Sequence, residues 1–357
     1  MKLVEEITKY RQEIKSERMD MSFGEIVNMF RDGEIIISPE YQRAFRWDEQ
    51  RQSDFIESIL LGIPFPSIFV ATNSDGKWEL IDGLQRISTV LSFFGELKED
   101  GKDYPKNKLI LKEGSLVKEL NGLTIDTIPL EYKLQIKRTP CRVEVIMKES
   151  DFKMRYELFK RLNTGGEGLS RQEIRNCIFR GLDSRYNDFV DNLSKNTKFR
   201  KLINISQSNE EMMYYEELVL RYFTLKNAGI RYTQSNIQDY MDDYLKKRCE
   251  VFDSTETKKD GKLFNKIMDF LIQFEKDDIF KLGRRFFTTS MYDAIMLSLS
   301  ENSVDLSSIK RKDFLPKINK LKEDTDFKRY VGSASSNPTS ITNKVKIAKR
   351  ILLGVEE

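Results

Sequence analysis

The sequence contains no histidine, and that absence removes more chemistry than any other single fact about it. Imidazole is the usual general base and a common metal ligand near neutral pH. Without it, Ser-His-Asp and Cys-His triads, histidine-containing zinc sites and HNH-type nuclease centres are all excluded. Cysteine is scarce too. Cys141, Cys177 and Cys249 are odd in number and far apart, which leaves neither a disulfide framework nor a Cys-x-x-Cys clamp and fits a reducing cytosol. No run of about eighteen apolar residues occurs, and the first ten residues, MKLVEEITKY, carry charges where a signal peptide has its apolar core. The expected location is the cytoplasm. Net charge is small as well: 60 basic against 57 acidic residues give +3, so the overall field does not announce a nucleic-acid partner, although local basic patches still could. The chemistry left uses carboxylates, Arg, Lys, Gln, Asn, hydroxyls or backbone amides, and a carboxylate-held Mg²⁺ remains available.

What is present is the balance of a globular protein, 39% hydrophobic and 33% charged, over a length that suits two ordinary domains. Ser22-Phe23-Gly24-Glu25 is a capping-box pattern, and Ile26, Met29 and Phe30 share one face of the helix it opens, with Gly33 as the stop. Glu34 to Ser38 reads as a strand that Pro39 ends, ahead of a polar-aromatic loop from Tyr41 to Trp47. Asp48 can cap a helix carrying Phe55, Ile56, Ile59 and Leu60, which Gly62 and Pro64 stop. Ser67 to Ala71 and Trp78 to Ile81 read as a hairpin around the turn at 73–76. After Asp82-Gly83, the residues Ile87, Val90, Leu91 and Phe94 recur at helical spacing up to Gly95. Residues 97–140 read as an insertion with partial structure, Arg142 to Met147 as a strand, and Asp151 to Leu162 as a helix ending at Asn163-Thr164-Gly165-Gly166. Ser170 and Glu173 form a second capping box, whose helix ends near Gly181. Beyond it the signals are helical. They include a segment around Glu210 to Lys226 and a last helix, started by Asn337-Pro338, with Ile341, Val345, Ala348 and Leu352 as its apolar stripe. The expected architecture is therefore α+β (mixed α/β), with a domain at 1–181 followed by a mainly α-helical domain at 182–357.

Three segments carry chemistry. The strand-turn-helix around Asp82-Gly83-Leu84-Gln85-Arg86 points the free N–H groups and the positive dipole end of a helix at a phosphate. In it Gly83 would let a ligand approach the backbone, Arg86 would supply a planar charged donor, Gln85 would orient a water or phosphate oxygen, and Asp82 would hold Mg²⁺ or take a proton. The same residues also read as an ordinary turn followed by a solvated arginine. Tyr41, Gln42, Arg43, Arg46 and Trp47 mix aromatics and arginines in a way that suits base stacking with phosphate contact, or equally an aromatic mini-core with snorkelling arginines. Asn163 to Gly166 reads as a phosphate nest or as a plain glycine cap. In the last helix Lys344, Lys346, Lys349 and Arg350 lie largely off the apolar stripe, either as a DNA-binding face or as a solvated one.

Taken together, three ordered motifs resemble the domain of unknown function 262, the ParB-like N-terminal domain of GmrSD-type restriction systems. They are Pro39-Glu40-Tyr41-Gln42-Arg43-Ala44-Phe45-Arg46-Trp47, Asp82 to Arg86, and Phe159, Asn163, Gly166 and Leu169. The resemblance covers roughly residues 20 to 180. It implies a ParB/sulfiredoxin-like fold, nucleotide binding, often with NTP hydrolysis, and a part in restricting phage or modified DNA. It would place Asp82, Gly83, Gln85 and Arg86 around a triphosphate and its Mg²⁺, with Gln42, Arg43 and Arg46 reaching in and Asn163 closing the site. Two departures stand out. Leu84 replaces the first Gln of the family's Asp-Gly-Gln-Gln-Arg, which puts hydrolysis in doubt, and the HNH nuclease domain of many full-length members cannot exist here. Three functions remain: a nucleotide-dependent sensor or NTPase acting with DNA, a second copy or a separate effector; a non-enzymatic DNA- or protein-binding module; and a metal-dependent nickase using Asp82 with Glu79 or Asp75.

Overall fold

The computed structural model describes residues 2–13, 15–37, 45–73, 75–99, 102–103, 107–147, 152–162, 169–180, 182–232, 236–283, 287–301, 304–332 and 334–355. By its contacts the chain divides into two compact units, Met1–Leu169 and Ser170–Glu357. The break falls ahead of the capping box at Ser170, so the helix that this box opens belongs to the second unit. Among the described residues every strand lies in the first unit, giving a mixed α/β unit followed by a helical one.

The first unit is built on a five-stranded sheet in the order β1-β7-β3-β4-β2, with β1 at Ser16–Ser22, β2 at Ile35–Ile36, β3 at Ile68–Thr72, β4 at Trp78–Asp82 and β7 at Pro140–Ile146. The expected hairpin is β3–β4, antiparallel; β7 runs parallel to β3 on its other side, and β2 runs parallel to β4. The unforeseen strand is β1, the antiparallel partner of β7. Its sequence, SERMDMS, lacks the β-branched residues that mark a strand, and it is held instead by side chains facing each other across the ladder. Arg18 meets Glu144 at 2.8 Å and Asp20 meets Arg142 at 3.0 Å, in register positions that pair them directly.

Helix α1 spans Lys2–Glu13, α2 Phe23–Arg31, α3 Glu49–Leu61, α4 Leu84–Phe94, α5 Leu130–Arg138 and α6 Phe152–Leu162. Local chemistry explains their ends. The Ser22 hydroxyl accepts from the Glu25 N–H at 3.2 Å and the Asp48 carboxylate from the Arg51 N–H at 2.9 Å, while Gly62 and Gly95 close α3 and α4 in the left-handed conformation. Phe55, Ile56 and Ile59 of α3 are buried, each contributing about 1.5–3 kcal/mol by leaving water. The 97–140 stretch holds a two-stranded ribbon of β5 (Lys98–Glu99) and β6 (Lys102–Asp103), a 3₁₀ turn at Lys118–Leu120 and α5. It is anchored by the buried Leu109, Leu111, Leu120 and Ile136, and by Glu57. The Glu57 carboxylate, on α3, accepts from the N–H groups of Ser115 (3.2 Å), Leu116 (2.9 Å) and Val117 (2.6 Å) and from the Ser115 hydroxyl (2.9 Å). Burial would raise its pKa, but these donors outweigh that and hold the carboxyl below its ordinary value.

The second unit contains α7 (Arg171–Phe179), α8 (Ser184–Ser194), α9 (Thr197–Leu202), α10 (Gln207–Glu211), α11 (Tyr214–Phe223), α12 (Ile237–Glu250), α13 (Ser254–Leu271), α14 (Thr289–Leu299), α15 (Arg311–Glu323), α16 (Thr325–Arg329) and α17 (Pro338–Leu353). Its core is aromatic: Phe199, Phe223, Phe264 and Tyr292 are fully buried, with Phe199 and Phe264 centred 5.4 Å apart. Two buried arginines find carboxylates. Arg175 donates to Asp242 at 2.6 Å, and Arg221 forms two bonds to Asp293, at 2.8 and 2.6 Å. Among the described residues no helix is long and apolar enough to cross a membrane.

Candidate functional site

The turn after β4 is shaped by an irregularity and a glycine. Phe69 of β3 pairs with Asp82 while Val70 pairs with Leu80, so Ile81 is an extra residue and the ladder bulges just before Asp82, a device that re-aims the side chain that follows. Gly83 then takes φ 101° and starts α4 with no side chain capping the helix. A Cβ on Gly83 would lie 2.6 Å from Cγ2 of Ile68. The glycine is therefore demanded by its backbone conformation and by close packing on β3, and the place of its missing side chain is filled by Ile68 rather than open to a ligand.

Arg86 ties this turn to the loop before β3. One terminal nitrogen donates to the carbonyls of Pro66 and Ser67, and the other to the Asp82 carboxylate at 3.0 Å. Burial raises the pKa of Asp82 above its usual range, against the lowering effects of the Arg86 charge and the Gly83 N–H. Gln85 ties the turn to the polar-aromatic loop: its side-chain oxygen accepts from the backbone N–H groups of Arg46 and Trp47, both at 3.0 Å. The first two motifs thus meet in space. Trp47 also packs edge-on against Phe55, with ring centroids 5.8 Å apart, and Phe45 is buried, as the mini-core alternative expects. Tyr41, Gln42 and Arg43 lie outside the described residues, as do Asn163 and Gly166. From the third motif Phe159 is buried in α6, which packs against β4. A cleft of about 600 Å³ opens beside the loop that Arg86 holds, lined among others by Ile59, Phe65, Ser67, Gln135 and the Asp20–Arg142 pair.

Sequence reasoning missed the Pro66 and Ser67 carbonyls. The signal was Pro64-Phe65-Pro66, a stretch whose prolines leave neighbouring carbonyls without regular partners. Among the described residues no group of three His, Cys, Asp or Glu side chains converges, and Asp75 is exposed in the hairpin turn, so the convergent carboxylates that a nickase needs are not found there. One carboxylate does suit a Mg²⁺ that arrives with triphosphate oxygens and keeps its waters.

Residues 23–180 match the family model of the GmrSD restriction endonuclease, N-terminal domain. Over that stretch the chain is similar to this domain. The match spans less than half of the 357 residues and stops within the second unit, at the end of α7. No curated protein and no solved structure matched the chain. The family points to restriction-type defence and to DNA as a partner. Within the matched stretch Leu84 is buried, so its side chain presents nothing polar to the turn.

Beyond the matched stretch, the last helix differs from its charge pattern. Lys344 is 1% exposed and donates to the Ser290 hydroxyl at 3.0 Å and the Ser335 carbonyl at 2.8 Å, so it is a core residue and offers no charge to DNA. Lys349 pairs with Glu301 at 2.7 Å and Arg350 with Asp324 at 3.9 Å, which spends part of their charge. Lys346 is exposed.

Proposed function

We propose that the GmrSD-like domain binds a nucleoside triphosphate at the Gly83 end of α4, and that the protein serves as a nucleotide-dependent sensor in cytoplasmic restriction-type defence, acting with DNA or with a separate effector. The observation that carries this reading is the meeting of the first two motifs: an uncapped helix start after Gly83, the Asp82–Arg86 pair beside it, and Gln85 holding the Arg46–Trp47 backbone against it. An uncapped helix start next to a guanidinium favours phosphate by dipole and by charge. Arg86 has five N–H donors and keeps some for a phosphate after bonding to Asp82, Pro66 and Ser67. A Mg²⁺ entering with the triphosphate would find Asp82 as its protein ligand and would supply charge neutralisation. Hydrolysis is the weaker half of the reading, since Leu84 is apolar and buried and the Gln85 oxygen is engaged by backbone.

The engagement of Arg86 on three protein acceptors favours a second reading, in which the motif is a structural clasp inside a non-enzymatic DNA- or protein-binding module. Thermal melting with ATP, GTP, CTP and UTP in Mg²⁺, together with phosphate release, separates the two, because a ligand that binds only the folded state stabilises it by mass action. A saturable melting shift with one nucleotide, lost in Arg86→Ala and Asp82→Ala variants that still fold, supports the sensor, and phosphate release makes it an enzyme. Absence of any shift from folded protein leaves the clasp.

A further inference from the structure

The solvent face of α13 is unlike the other helical faces of the second unit. Its exposed positions are Ser254, Thr255, Lys258, Lys259, Lys262, Asn265, Lys266 and Asp269, so four of the five charges are lysines. The single acid, Asp269 at the carboxyl end, is already taken by Lys198 at 2.5 Å. None of the four lysines makes an ion pair among the described residues. Asp305 is lowered chiefly by Ser307, with Lys266 acting on it only last. Elsewhere in this unit many cations are met by acids, among them Arg180 with Asp188, Arg185 with Asp183, Lys195 with Asp191, Arg200 with Glu210 and Arg311 with Asp277, and those that are not do not follow one another along one helix face as these do.

A face that serves only solubility carries both signs interspersed. Here Lys258, Lys262 and Lys266 are set at i, i+4 and i+8, so like charges neighbour one another along the helix, an arrangement that weakens it. The opposite face buries Phe264, Ile267, Met268 and Leu271, which fixes the lysine row outward. At ~1.5 Å rise per residue the row advances ~6 Å per step, against one phosphate charge per ~3.4 Å along each DNA strand.

We infer that this lysine row on α13, and not the last helix, is the surface that meets the phosphate backbone of duplex DNA. The inference rests on the DNA-partner part of the proposed function and is independent of its nucleotide part. Four neutralised phosphates would give a contribution of ~3.6 to the slope of log affinity against log salt, at ~0.9 per contact. A fourfold rise in salt, from 50 to 200 mM, would then weaken binding by about 150-fold through this row alone.

The test is fluorescence polarisation of a labelled duplex with the full chain across that salt range. It compares wild type with K258Q/K259Q/K262Q/K266Q, with the same four changed to Arg, and with a control of equal charge change, K201Q/K247Q/K328Q/K346Q. The expected result is a slope smaller by about 3 to 4 in the α13 glutamine variant, with wild-type slope kept in the arginine variant and in the control. Equal loss in the control, an unchanged slope in the α13 variant, binding of poly-glutamate as tight as that of duplex, or no duplex binding by wild type would each overturn the inference. A nucleotide-induced melting shift in the same α13 variant reports the GmrSD-like site separately, so failure of one reading is distinguishable from failure of the other.

Discussion

Gly83→Ala should damage the protein through two separable costs. Alanine at φ 101° and ψ 14° adopts a conformation that costs an L-residue about 1–2 kcal/mol. Its Cβ would stand 2.6 Å from Cγ2 and 3.1 Å from Cβ of Ile68. Ile68 cannot swing aside, because it is 1% exposed on β3 between β4 and β7, and such overpacking costs about 1–3 kcal/mol. The single variant should therefore lose about 2–5 kcal/mol. Ile68→Ala alone should lose about 2–5 kcal/mol by leaving a cavity. In the double variant the collision is gone while the backbone cost remains, so the losses should fall short of their sum by about 1–3 kcal/mol. Urea unfolding monitored by circular dichroism reads each value, provided the slope m stays constant. Losses that add to within about 0.5 kcal/mol would show that Gly83 and Ile68 do not meet and would refute the account of why glycine stands there.

Glu57→Gln should cost about 1.5–3 kcal/mol, because four donors lose a charged acceptor. Since the native carboxyl is held below its ordinary value, the wild-type advantage should be complete above the unfolded carboxyl's pKa and disappear as pH falls through the lower native one; a pH series of urea midpoints for the two proteins checks this. Burial, opposed by the nearby Asp293 carboxylate and reinforced by the Arg221 charge, brings the Lys344 amine down to about 8 from 10.5. The folded state thus holds that proton less tightly than the unfolded one, so stability should rise between about pH 8 and 10.5, by up to about 3 kcal/mol. Lys344→Met should lack the rise in a melting series over that range. Asp293→Ala leaves the Arg221 guanidinium buried without its carboxylate and should cost about 3–5 kcal/mol, whereas joint replacement of both by Met should cost far less; calorimetric melting of the single and double variants tests it.

Signals confined to a few neighbouring residues were legible. Ser22, Asp48, Ser170 and Asn337 cap helices with hydrogen bonds, and the β3–β4 hairpin and α4 follow their periodicity, because caps and turns are decided by residues two to four apart. Partners distant in sequence were not. Strand β1 depends on charges facing β7, Glu57 on donors about sixty residues later, and Lys344 on Ser290 and Ser335, so a lysine that reads as surface lies in a core. In the site, the meeting of the two motifs followed from the family pattern, while Pro64-Phe65-Pro66 marks carbonyls in need of a donor without saying that Arg86, twenty residues later, supplies it. At Gly83 the sequence shows a glycine before a helix, while its packing on Ile68 is visible only once the sheet order is known.

That sheet order also bears on how the chain is made. β7 is the last strand of the sheet in sequence, yet it sits between β1, the first, and β3. On a ribosome β1 has no neighbour at all until Pro140–Ile146 has emerged, and β3 has only β4. A nascent or truncated chain ending before Pro140 therefore exposes two open ladders to other chains, the condition under which half-built sheets aggregate. The described residues between Leu97 and Thr139 add no strand to this sheet, so the time taken to synthesise them sets how long that exposure lasts.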